Sequence, residues 1–257
     1  MKITQQILLR LKHRLQARNA KGFGIHSPFL FGFVQQVLRN RHPYYCFARI
    51  EAARKALKTS DKTIYVQDYG TGNSGQRKIA TIARTSIAPA KDAQMLFRIA
   101  RYINAKNILE LGTSLGITTS YLASVNKDIK CVTMEGSAEL IRLAKQTAQK
   151  GGCSNIHFVQ GDISECLSQV LEQNSPFDLI CFDANHTFEY TIRYFEECVA
   201  YAHAKTVFVL DDIHSSKEMN RAWKMIVRHE KVTAAMQLKR YGVVFFNTDY
   251  AKKLYCI

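Results

Sequence analysis

The sequence lacks several features that would assign it to a class at once. No apolar run reaches the length of about 18 residues that a membrane-spanning helix needs, so we predict no such span. The N-terminus has no apolar core of the kind found in secretory signals, so we expect no secretory signal. The 7 cysteines include no C-x-x-C pair, and Cys131 and Cys181 lie in apolar runs, where a free thiol acts as a small hydrophobe. These absences favour a reduced, cytoplasmic setting.

The dinucleotide-binding fingerprint G-x-G-x-x-G is absent as well, and a different glycine pattern stands near the middle of the chain. The apolar run 107–111 ends at Gly112, and three loop residues then lead to Gly116 and to helical spacing. Such a run is typical of a buried parallel strand, glycine lets a ligand approach the backbone closely, and the next helix offers unpaired N–H groups to an anion. The stretch therefore predicts the nucleotide-binding turn of a doubly wound α/β domain, though not in its dinucleotide form.

Positive charge is concentrated at the N-terminal end of the chain. Residues 1–90 contain 16 Lys and Arg against 3 Asp and Glu, whereas residues 91–257 contain 20 against 18, within a formal net charge of +15. This asymmetry indicates an anionic partner for the first third, which could be nucleic acid, an acidic lipid surface or an acidic substrate. A basic, solvent-exposed helical surface explains the same counts, and the sequence leaves both interpretations open.

The first third also carries helical patterns and a short motif. Residues 2–20 place an apolar stripe on one helical face, which fits a membrane-surface helix or a helix packed on its own protein or on a second subunit. Further on, Ser27 followed by Pro28 predicts a helix start, with Ser as the N-cap and Pro in the first turn. The preceding His26 is either a structural residue or a group that faces substrate or cofactor.

Two further segments complete this region. Residues 48–59 are typical of a basic helix, and residues 67–75 form a glycine-rich loop that leads to a helix near 77–84. We find no convincing strand before the loop, so we do not interpret it as a second nucleotide site. It is either a mobile cover over the active site or a plain surface loop.

From residue 91 onward, strands alternate with helices. This alternation predicts a mostly parallel sheet with right-handed crossovers, and the two last strands lie too close in sequence for a crossover, so they must be antiparallel. The predicted strands are 107–112, 130–135, 156–160, 177–183, 206–211, 232–238 and 242–247. The fold class is thus α/β, a doubly wound seven-stranded sheet. We assign residues 1–88 to a basic helical extension or cover and 89–257 to the ligand-binding domain.

Acidic and small residues follow the strands of this predicted sheet. Ligands of such sheets bind at the carboxyl ends of the strands, which here carry Glu110, Gly112 and Thr113; Glu135, Gly136 and Ser137; Gly161, Asp162 and Ile163; Asp183; and Asp211 and Asp212. Glu135 can accept both hydroxyls of a ribose, and Gly161-Asp162 can hold an adenine edge. One acid alone would more often cap the next helix, but the whole row exceeds what capping requires.

This arrangement resembles the class I S-adenosylmethionine-dependent methyltransferases, and most of all the catechol and caffeoyl-CoA O-methyltransferase group. The resemblance covers about residues 85–247, and the segment from Lys91 to Gly112 is similar to that group's lead-in helix and first motif. It implies a Rossmann-like methyltransferase fold, S-adenosylmethionine as cofactor, Glu135 as the ribose-binding acid and Asp162 on the adenine side. The N-terminal Gly-Ile-His-Ser-Pro-Phe motif lies outside the match and resembles a feature of uncharacterised bacterial methyltransferases. The implied cofactor-binding residues are Glu110, Gly112, Thr113, Ser114, Gly116, Thr118, Glu135, Gly136, Ser137, Gly161, Asp162, Ile163 and Asp183.

The resemblance also implies a metal site and a base. In that group a divalent metal is held by an Asp after the fourth strand and by an Asp-Asn pair after the fifth, which correspond here to Asp183, Asp211 and Asp212. The last is Asp in place of Asn, a departure that still offers the oxygen ligands Mg²⁺ takes but leaves metal use open. Alternatively, Asp183 holds the methionine end of the cofactor or the substrate, and the other two cap a turn. The group's catalytic lysine corresponds to His186, which is suited to general base catalysis, and His214 is a second candidate.

The predicted activity is therefore S-adenosylmethionine-dependent O-methylation of a small-molecule acceptor, for which the basic first third suggests negative charge. A homodimer and peripheral membrane contact are both compatible with the sequence. An RNA methyltransferase is an alternative because of the basic region, although no Asn/Asp-Pro-Pro-Tyr/Phe element and no recognisable RNA-binding module is present. A non-catalytic S-adenosylmethionine-binding or membrane-associated protein is a second alternative. A dehydrogenase is disfavoured by the glycine spacing.

Overall fold

The structure is a computed structural model that describes residues 17–69 and 72–257. Most of the predicted helix at 2–20 therefore lies outside the described residues, as do two residues of the glycine-rich loop. The chain divides into two compact units, one formed by the residues up to Asn40 together with His186–Ile257, and the other by Arg41–Asn185. The division of function predicted at residue 88 stays a prediction. Within the described part of the chain, no helix has the length and apolar character needed to cross a membrane.

The elements alternate as the sequence predicts. The helices are α1 (Pro28–Phe33, continued by a π-helical segment Val34–Leu38), α2 (Tyr45–Lys58), α3 (Ile79–Thr85), α4 (Ala90–Tyr102), α5 (Ile117–Ala123), α6 (Ala138–Gly151), α7 (Ile163–Asn174), α8 (Phe188–Val199) and α9 (Lys217–Arg228). The strands are β1 (Thr63–Val66), β2 (Gly75–Lys78), β3 (Asn107–Leu111), β4 (Lys130–Glu135), β5 (Ile156–Gln160), β6 (Leu179–Phe182), β7 (Val207–Leu210), β8 (Ala234–Gln237), β9 (Gly242–Phe245) and β10 (Lys253–Cys256).

Four parallel strands form the sheet of the unit Arg41–Asn185, in the order β6-β3-β4-β5. β3, β4 and β6 are buried along most of their length, because their apolar runs are covered on both faces. The helix α6 turns its predicted face inward, and the residues of that face, Leu140, Ile141, Ala144 and Ala148, are all buried. The parallel order and the covering helices confirm the predicted doubly wound core.

The same unit contains a hairpin that the sequence did not predict. β1 and β2 pair antiparallel in a separate two-stranded sheet, and the glycine-rich loop is the connection between them. The sequence showed no convincing strand before this loop, and the structure has the four-residue strand β1 there. The two apolar residues that β1 buries, Ile64 and Val66, are too short a pattern to predict a strand.

The second unit contributes the remaining strands. β9 runs antiparallel to both β7 and β8, which confirms the predicted antiparallel pair. β10 pairs in parallel with β8, so this unit contributes four strands, β7 to β10, where the sequence predicted three. β10 was missed because its four residues are mostly exposed and show no long apolar run. The predicted stripe of α9, namely Met219, Ala222, Trp223 and Ile226, is buried.

The N-terminal motif of this unit begins a helix as predicted. Ser27 is the N-cap of α1, where its Oγ accepts a hydrogen bond from the N–H of Leu30 at 3.4 Å, and Pro28 opens the first turn. Phe33 is fully buried, so the apolar face of this short helix anchors it. His26 is exposed, and its role stays open.

Candidate active site

The turn after β3 is a backbone conformation that requires glycine. Gly112 has a φ of 101°, and its N–H donates to the carbonyl of Met134 at 3.0 Å. A Cβ at this position would lie 2.2 Å from the carbonyl oxygen of Asp183, far inside van der Waals contact. Ser114 and Gly116 also have positive φ angles, of 49° and 74°. The turn is therefore held tightly against the ends of the neighbouring strands β4 and β6.

Glu135 lies at the carboxyl end of β4 and is fixed by backbone donors. Its Oε2 accepts from the N–H of Ser114 at 2.9 Å, and its Oε1 accepts from the N–H of Ser137 at 3.0 Å. Burial raises the pKa of Glu135, while hydrogen bonds from the backbone N–H groups of Ser137, Ser114 and Gly136 lower it. A carboxylate can accept about four hydrogen bonds, so both oxygens keep the capacity to bind further donors.

Glu110 lies beneath this turn rather than at its surface. Its side chain is 1% exposed, and its Oε2 accepts from the hydroxyls of Thr119 at 2.5 Å and Thr133 at 2.6 Å. The hydroxyl of Thr113 lies 2.6 Å from that of Thr133, so a chain of hydrogen bonds runs from Glu110 to the turn. Burial raises the pKa of Glu110 to about 8, and the charges of Asp183 and Glu135 act in the same direction. This environment favours a positioning role for Glu110 over direct contact with a cofactor.

The raised pKa of Glu110 makes the stability of the fold depend on pH. Between the ordinary value of 4.5 and the folded value of about 8, the folded chain keeps a proton that the unfolded chain has lost, so the free energy of unfolding falls as pH rises through this range. We expect Glu110→Gln, which cannot ionise, to remove this contribution, which is worth at most a few kcal/mol (about 1.4 kcal/mol per pKa unit). Chemical unfolding of both proteins at about pH 5 and about pH 8.5 measures the difference. An equal loss of stability in both would contradict the assignment.

At the carboxyl end of β5, the residue predicted to bind the cofactor caps a helix. Asp162 is the N-cap of α7, and its Oδ1 accepts from the N–H of Ser164 at 2.8 Å. Gly161 has a φ of 152°, and its N–H donates to the carbonyl of Glu135 at 3.1 Å. Ile163 is buried in the first turn of α7. The capping alternative is thus present at Asp162, and its contact with adenine stays a prediction.

Thr118 and the glycine after β4 complete the predicted cofactor set. Thr118 is half-buried in the first turn of α5. Gly136 follows Glu135, and a Cβ built on it would lie 2.3 Å from the ring of Tyr69. The aromatic ring of the β1–β2 loop therefore lies directly against the carboxyl end of β4. Every predicted cofactor residue lies in the unit Arg41–Asn185, at or beneath the carboxyl ends of β3, β4, β5 and β6.

The predicted catalytic residues follow β6 in sequence. The N–H of Asp183 donates to the carbonyl of Leu111 at 2.9 Å, and its own carbonyl oxygen is the atom nearest to a Cβ built on Gly112. The next positions depart from ordinary backbone geometry, since Asn185 has a φ of 58° and His186 a φ of 22°. Asp183 therefore lies against the glycine turn after β3, whereas the role of His186 stays a prediction.

The second candidate base lies in the same unit as His186. The Nδ1 of His214 is 2.9 Å from the side-chain nitrogen of Asn220, and the ring is half-buried after β7. This contact leaves the ring tethered to the first turn of α9, and nothing in this arrangement favours His214 over His186 as the base.

The two aspartates after β7 do not present the donor set that a divalent metal needs. The guanidinium of Arg240 contacts Asp211 with Nε at 2.5 Å and with Nη2 at 2.5 Å, and it contacts Asp212 with Nε at 3.1 Å. Residues 17–69 and 72–257 contain no group of three or more His, Cys, Asp or Glu side chains placed to hold a metal ion. The implied metal ligands Asp211 and Asp212 are therefore already paired with a cation.

Sequence reasoning missed several residues that shape the site. Thr119 and Thr133 hold Glu110, Tyr69 packs on Gly136, and Arg240 pairs with the aspartates. A sequence signal existed for Thr119 and Thr133 alone, because an acidic residue within an apolar strand, here Glu110, requires buried hydrogen-bond donors. The other residues gave no local signal, since each contacts a partner that is distant in sequence.

Comparison with known proteins places this geometry in a family. Residues 109–213 match a family model described as a methyltransferase domain. A catechol O-methyltransferase of Niastella koreensis is 30% identical over 157 residues, which cover 60% of this chain and 70% of that protein. The family model extends over the whole region that carries the strand-end residues.

Solved structures show the same fold at low identity. The O-methyltransferase TomG of Streptomyces achromogenes, solved with S-adenosylmethionine, has a TM-score of 0.59 and 17% identity, covering 80% of this chain and 91% of that chain. An O-methyltransferase of Bacillus cereus, solved with S-adenosylhomocysteine, has a TM-score of 0.58 and 18% identity, covering 83% and 95%. The class defined by the sheet is thus the Rossmann-like α/β fold.

Within that class, the chain belongs to the class I S-adenosylmethionine-dependent O-methyltransferases. The family confirms the resemblance found in the sequence, the fold class apart from the number of strands, and the prediction of an S-adenosylmethionine-dependent O-methyltransferase. It does not favour the RNA methyltransferase, the non-catalytic binder or the dehydrogenase.

Proposed function

We propose that the chain transfers the methyl group of S-adenosylmethionine to a hydroxyl oxygen of a small molecule, with the nucleoside held at the carboxyl ends of β3, β4 and β5. One observation carries the assignment of the cofactor site. Both oxygens of Glu135 are fixed by the N–H groups of Ser114 and Ser137, and each has capacity for another donor. Two hydroxyls on adjacent ribose carbons are donors of the right number and spacing for such a carboxylate.

The other residues of the proposed site have distinct tasks. We assign the turn Gly112–Gly116, with Thr113 fixed by the hydroxyl of Thr133, to the methionine portion, together with Thr118. Gly136 and Ser137 stand beside the ribose, and the three residues Gly161–Ile163 stand on the adenine side. Asp183, whose backbone touches the turn, faces the reacting end in this proposal.

The chemistry asked of the protein is orientation and proton removal. The bound cofactor supplies a methyl group activated by the positive sulfur, so the protein aligns the acceptor oxygen with it. The acceptor hydroxyl loses its proton to the imidazole of His186 in this proposal, as the oxygen forms its bond to the methyl carbon. Consecutive positive φ angles at Asn185 and His186 support a functional role, because strained backbone is often found at active sites. No divalent metal is included, since Arg240 already pairs with Asp211 and Asp212.

The identity of the acceptor rests on the relatives and on charge. The Niastella relative is named a catechol O-methyltransferase, so a catechol is the first acceptor to test. The 16 Lys and Arg against 3 Asp and Glu in residues 1–90 favour an anionic acceptor or partner. Nucleic acid, peripheral membrane contact and a second copy of the chain are further partners that this basic region could serve.

Transfer from labelled S-adenosylmethionine to a panel of acceptors tests the proposal. The panel includes catechols with and without a carboxylate, matched monophenols, and RNA. We expect label on a small hydroxylated acceptor, with higher kcat/KM for the carboxylated members. Label on RNA alone, or cofactor binding without transfer to any member, would contradict the proposal.

The role of His186 is tested by separating binding from turnover. We expect His186→Ala to lower kcat by about 10²–10⁴-fold, the usual contribution of a general base, while S-adenosylmethionine affinity stays unchanged. His157→Ala, which removes an exposed imidazole from β5, is the matched control and should retain full kcat. Retention of wild-type kcat by His186→Ala would remove this residue from the mechanism.

A further inference from the structure

A buried carboxylate and an arginine form a close charged contact in the second unit. Asp211 is 3% exposed, and the fork formed by Nε and Nη2 of Arg240 spans both its oxygens at 2.5 Å. The same Nε lies 3.1 Å from Oδ1 of Asp212. One guanidinium thus serves both carboxylates at the carboxyl end of β7. Bidentate pairs of this kind are among the strongest charge-assisted contacts in proteins.

The backbone holds this pair in place from both sides. The N–H of Asp212 donates to Oδ1 of Asp211 at 2.6 Å, and the N–H of Ile213 donates to the carbonyl of Arg240 at 3.1 Å. Asp212 has a φ of 51°, so the turn after β7 is shaped around the contact. The guanidinium also lies 5.5 Å from the centre of the Tyr241 ring, which adds a cation–π contact. The arginine is therefore part of the built turn.

We propose that Arg240 takes the place of a divalent metal at these two aspartates, so that this chain holds a resident organic cation where the sequence resemblance implies a metal ion. A metal would have to displace the forked guanidinium of Arg240 from a buried carboxylate. The arginine would then lose its anionic partner, and a charge left without its partner in such a pair is costly. Mg²⁺ gives up its own water reluctantly, which adds to the barrier. The second part of the inference rests on the proposed function: methyl transfer proceeds without metal, and Arg240 acts as a positioning residue that supplies fixed positive charge after β7.

Binding of Mn²⁺ alone, followed by electron paramagnetic resonance, tests the first part without any acceptor or cofactor. Four proteins are compared: wild type, Arg240→Gln, Arg240→Lys and Lys239→Gln. The glutamine variant removes the cation and the lysine variant keeps a charge without the fork. Lys239 is exposed beside Arg240, so its variant has the same change in net charge as Arg240→Gln and is the matched control. Circular dichroism establishes that each variant is folded.

We expect wild type, Arg240→Lys and Lys239→Gln to bind Mn²⁺ no more tightly than a nonspecific protein surface does, and Arg240→Gln to bind it at least about tenfold more tightly. Micromolar Mn²⁺ binding by wild type would overturn the proposal, and so would a folded Arg240→Gln that binds Mn²⁺ no better than Lys239→Gln. If Arg240→Gln does not fold, wild type and Arg240→Lys still test the proposal. Tight Mn²⁺ binding by either protein would show that the cation at residue 240 does not exclude a metal ion from the two aspartates.

Methyl transfer by chelator-treated protein tests the second part. Once an acceptor is known, we expect wild type treated with EDTA to keep its kcat and added Mg²⁺ to change it less than about twofold, and we expect Arg240→Lys to retain more kcat than Arg240→Gln. Loss of transfer on chelation, restored by Mg²⁺, would overturn metal independence. A protein without any transfer activity would count against the proposed function instead, and the Mn²⁺ result would still stand on its own.

Discussion

Replacing Glu135 by alanine is expected to weaken S-adenosylmethionine binding at least about 100-fold, because two hydrogen bonds to a charged group are lost at about 1.5–3 kcal/mol each. The carboxylate stands at the end of β4 with both oxygens already oriented by the N–H groups of Ser114 and Ser137. Alanine removes the proposed acceptor for the ribose hydroxyls, and it leaves the N–H groups of Ser114 and Ser137 without their carboxylate acceptor. Isothermal titration calorimetry with S-adenosylmethionine measures the loss, after circular dichroism has shown the fold to be intact.

A nearby glutamate provides the control for this experiment. Glu139 lies one turn further on, in the first turn of α6, and its exposed side chain pairs with Arg142 at 2.8 Å. Glu139→Ala removes the same charge about one helical turn away and should leave cofactor affinity unchanged. Equal affinities for Glu135→Ala and Glu139→Ala would show that the cofactor does not depend on Glu135.

Replacing Gly112 by alanine is expected to destabilise the fold by roughly 3 kcal/mol or more and to abolish cofactor binding. Two effects add. A φ of 101° costs a residue with a side chain about 1–3 kcal/mol, and a Cβ would lie 2.2 Å from the carbonyl oxygen of Asp183, so the backbone at the end of β6 would have to move. Thermal and urea unfolding measure the loss of stability, and calorimetry measures binding in any protein that remains folded.

Gly75 offers a matched substitution for comparison. It opens β2, and a Cβ built on it meets no atom within 4 Å, so Gly75→Ala should change stability by less than about 1 kcal/mol. If Gly112→Ala were as stable as Gly75→Ala and bound the cofactor normally, the close approach of the turn to Asp183 would not be a requirement of the site.

The parallel core was predictable from the sequence because its signals are local. Helical spacing follows each strand of the core, and three of these strands, β3, β4 and β5, are each followed by a glycine, at Gly112, Gly136 and Gly161. β4 and β5 begin and end at the predicted residues, Lys130–Glu135 and Ile156–Gln160. The carboxyl ends of parallel strands lie at the same edge, so finding the strands also predicted which residues would line that edge.

The contacts within the site were not predictable in the same way. Glu110 was predicted to bind the cofactor, and the structure shows it buried and opposite Thr133, a pairing of β3 with β4 that no local pattern reveals. Arg240 contacts an aspartate 29 residues earlier in the chain, and the intervening helix α9 gives no hint of the pairing. Interactions between distant segments decide whether an acid binds a ligand or a neighbour, and they depend on the folded chain.

The metal prediction shows the limit of carrying a residue set from a family to one member. Three aspartates stand at the positions that the resemblance implies, and their residue type suits a hard cation. The folded structure adds a guanidinium that two of them contact. When metal ligands are inferred from a resemblance, it is therefore necessary to check whether a cationic side chain already pairs with them.

The central claim is that the nucleoside of S-adenosylmethionine binds at the carboxyl end of β4, and a crystal structure of the chain with S-adenosylhomocysteine tests it most directly. We expect the ribose hydroxyls to lie within hydrogen-bonding distance of both oxygens of Glu135, with the methionine portion along the turn that contains Gly112. Electron density for the nucleoside at any other place, with Glu135 contacting only Ser114 and Ser137, would contradict the account.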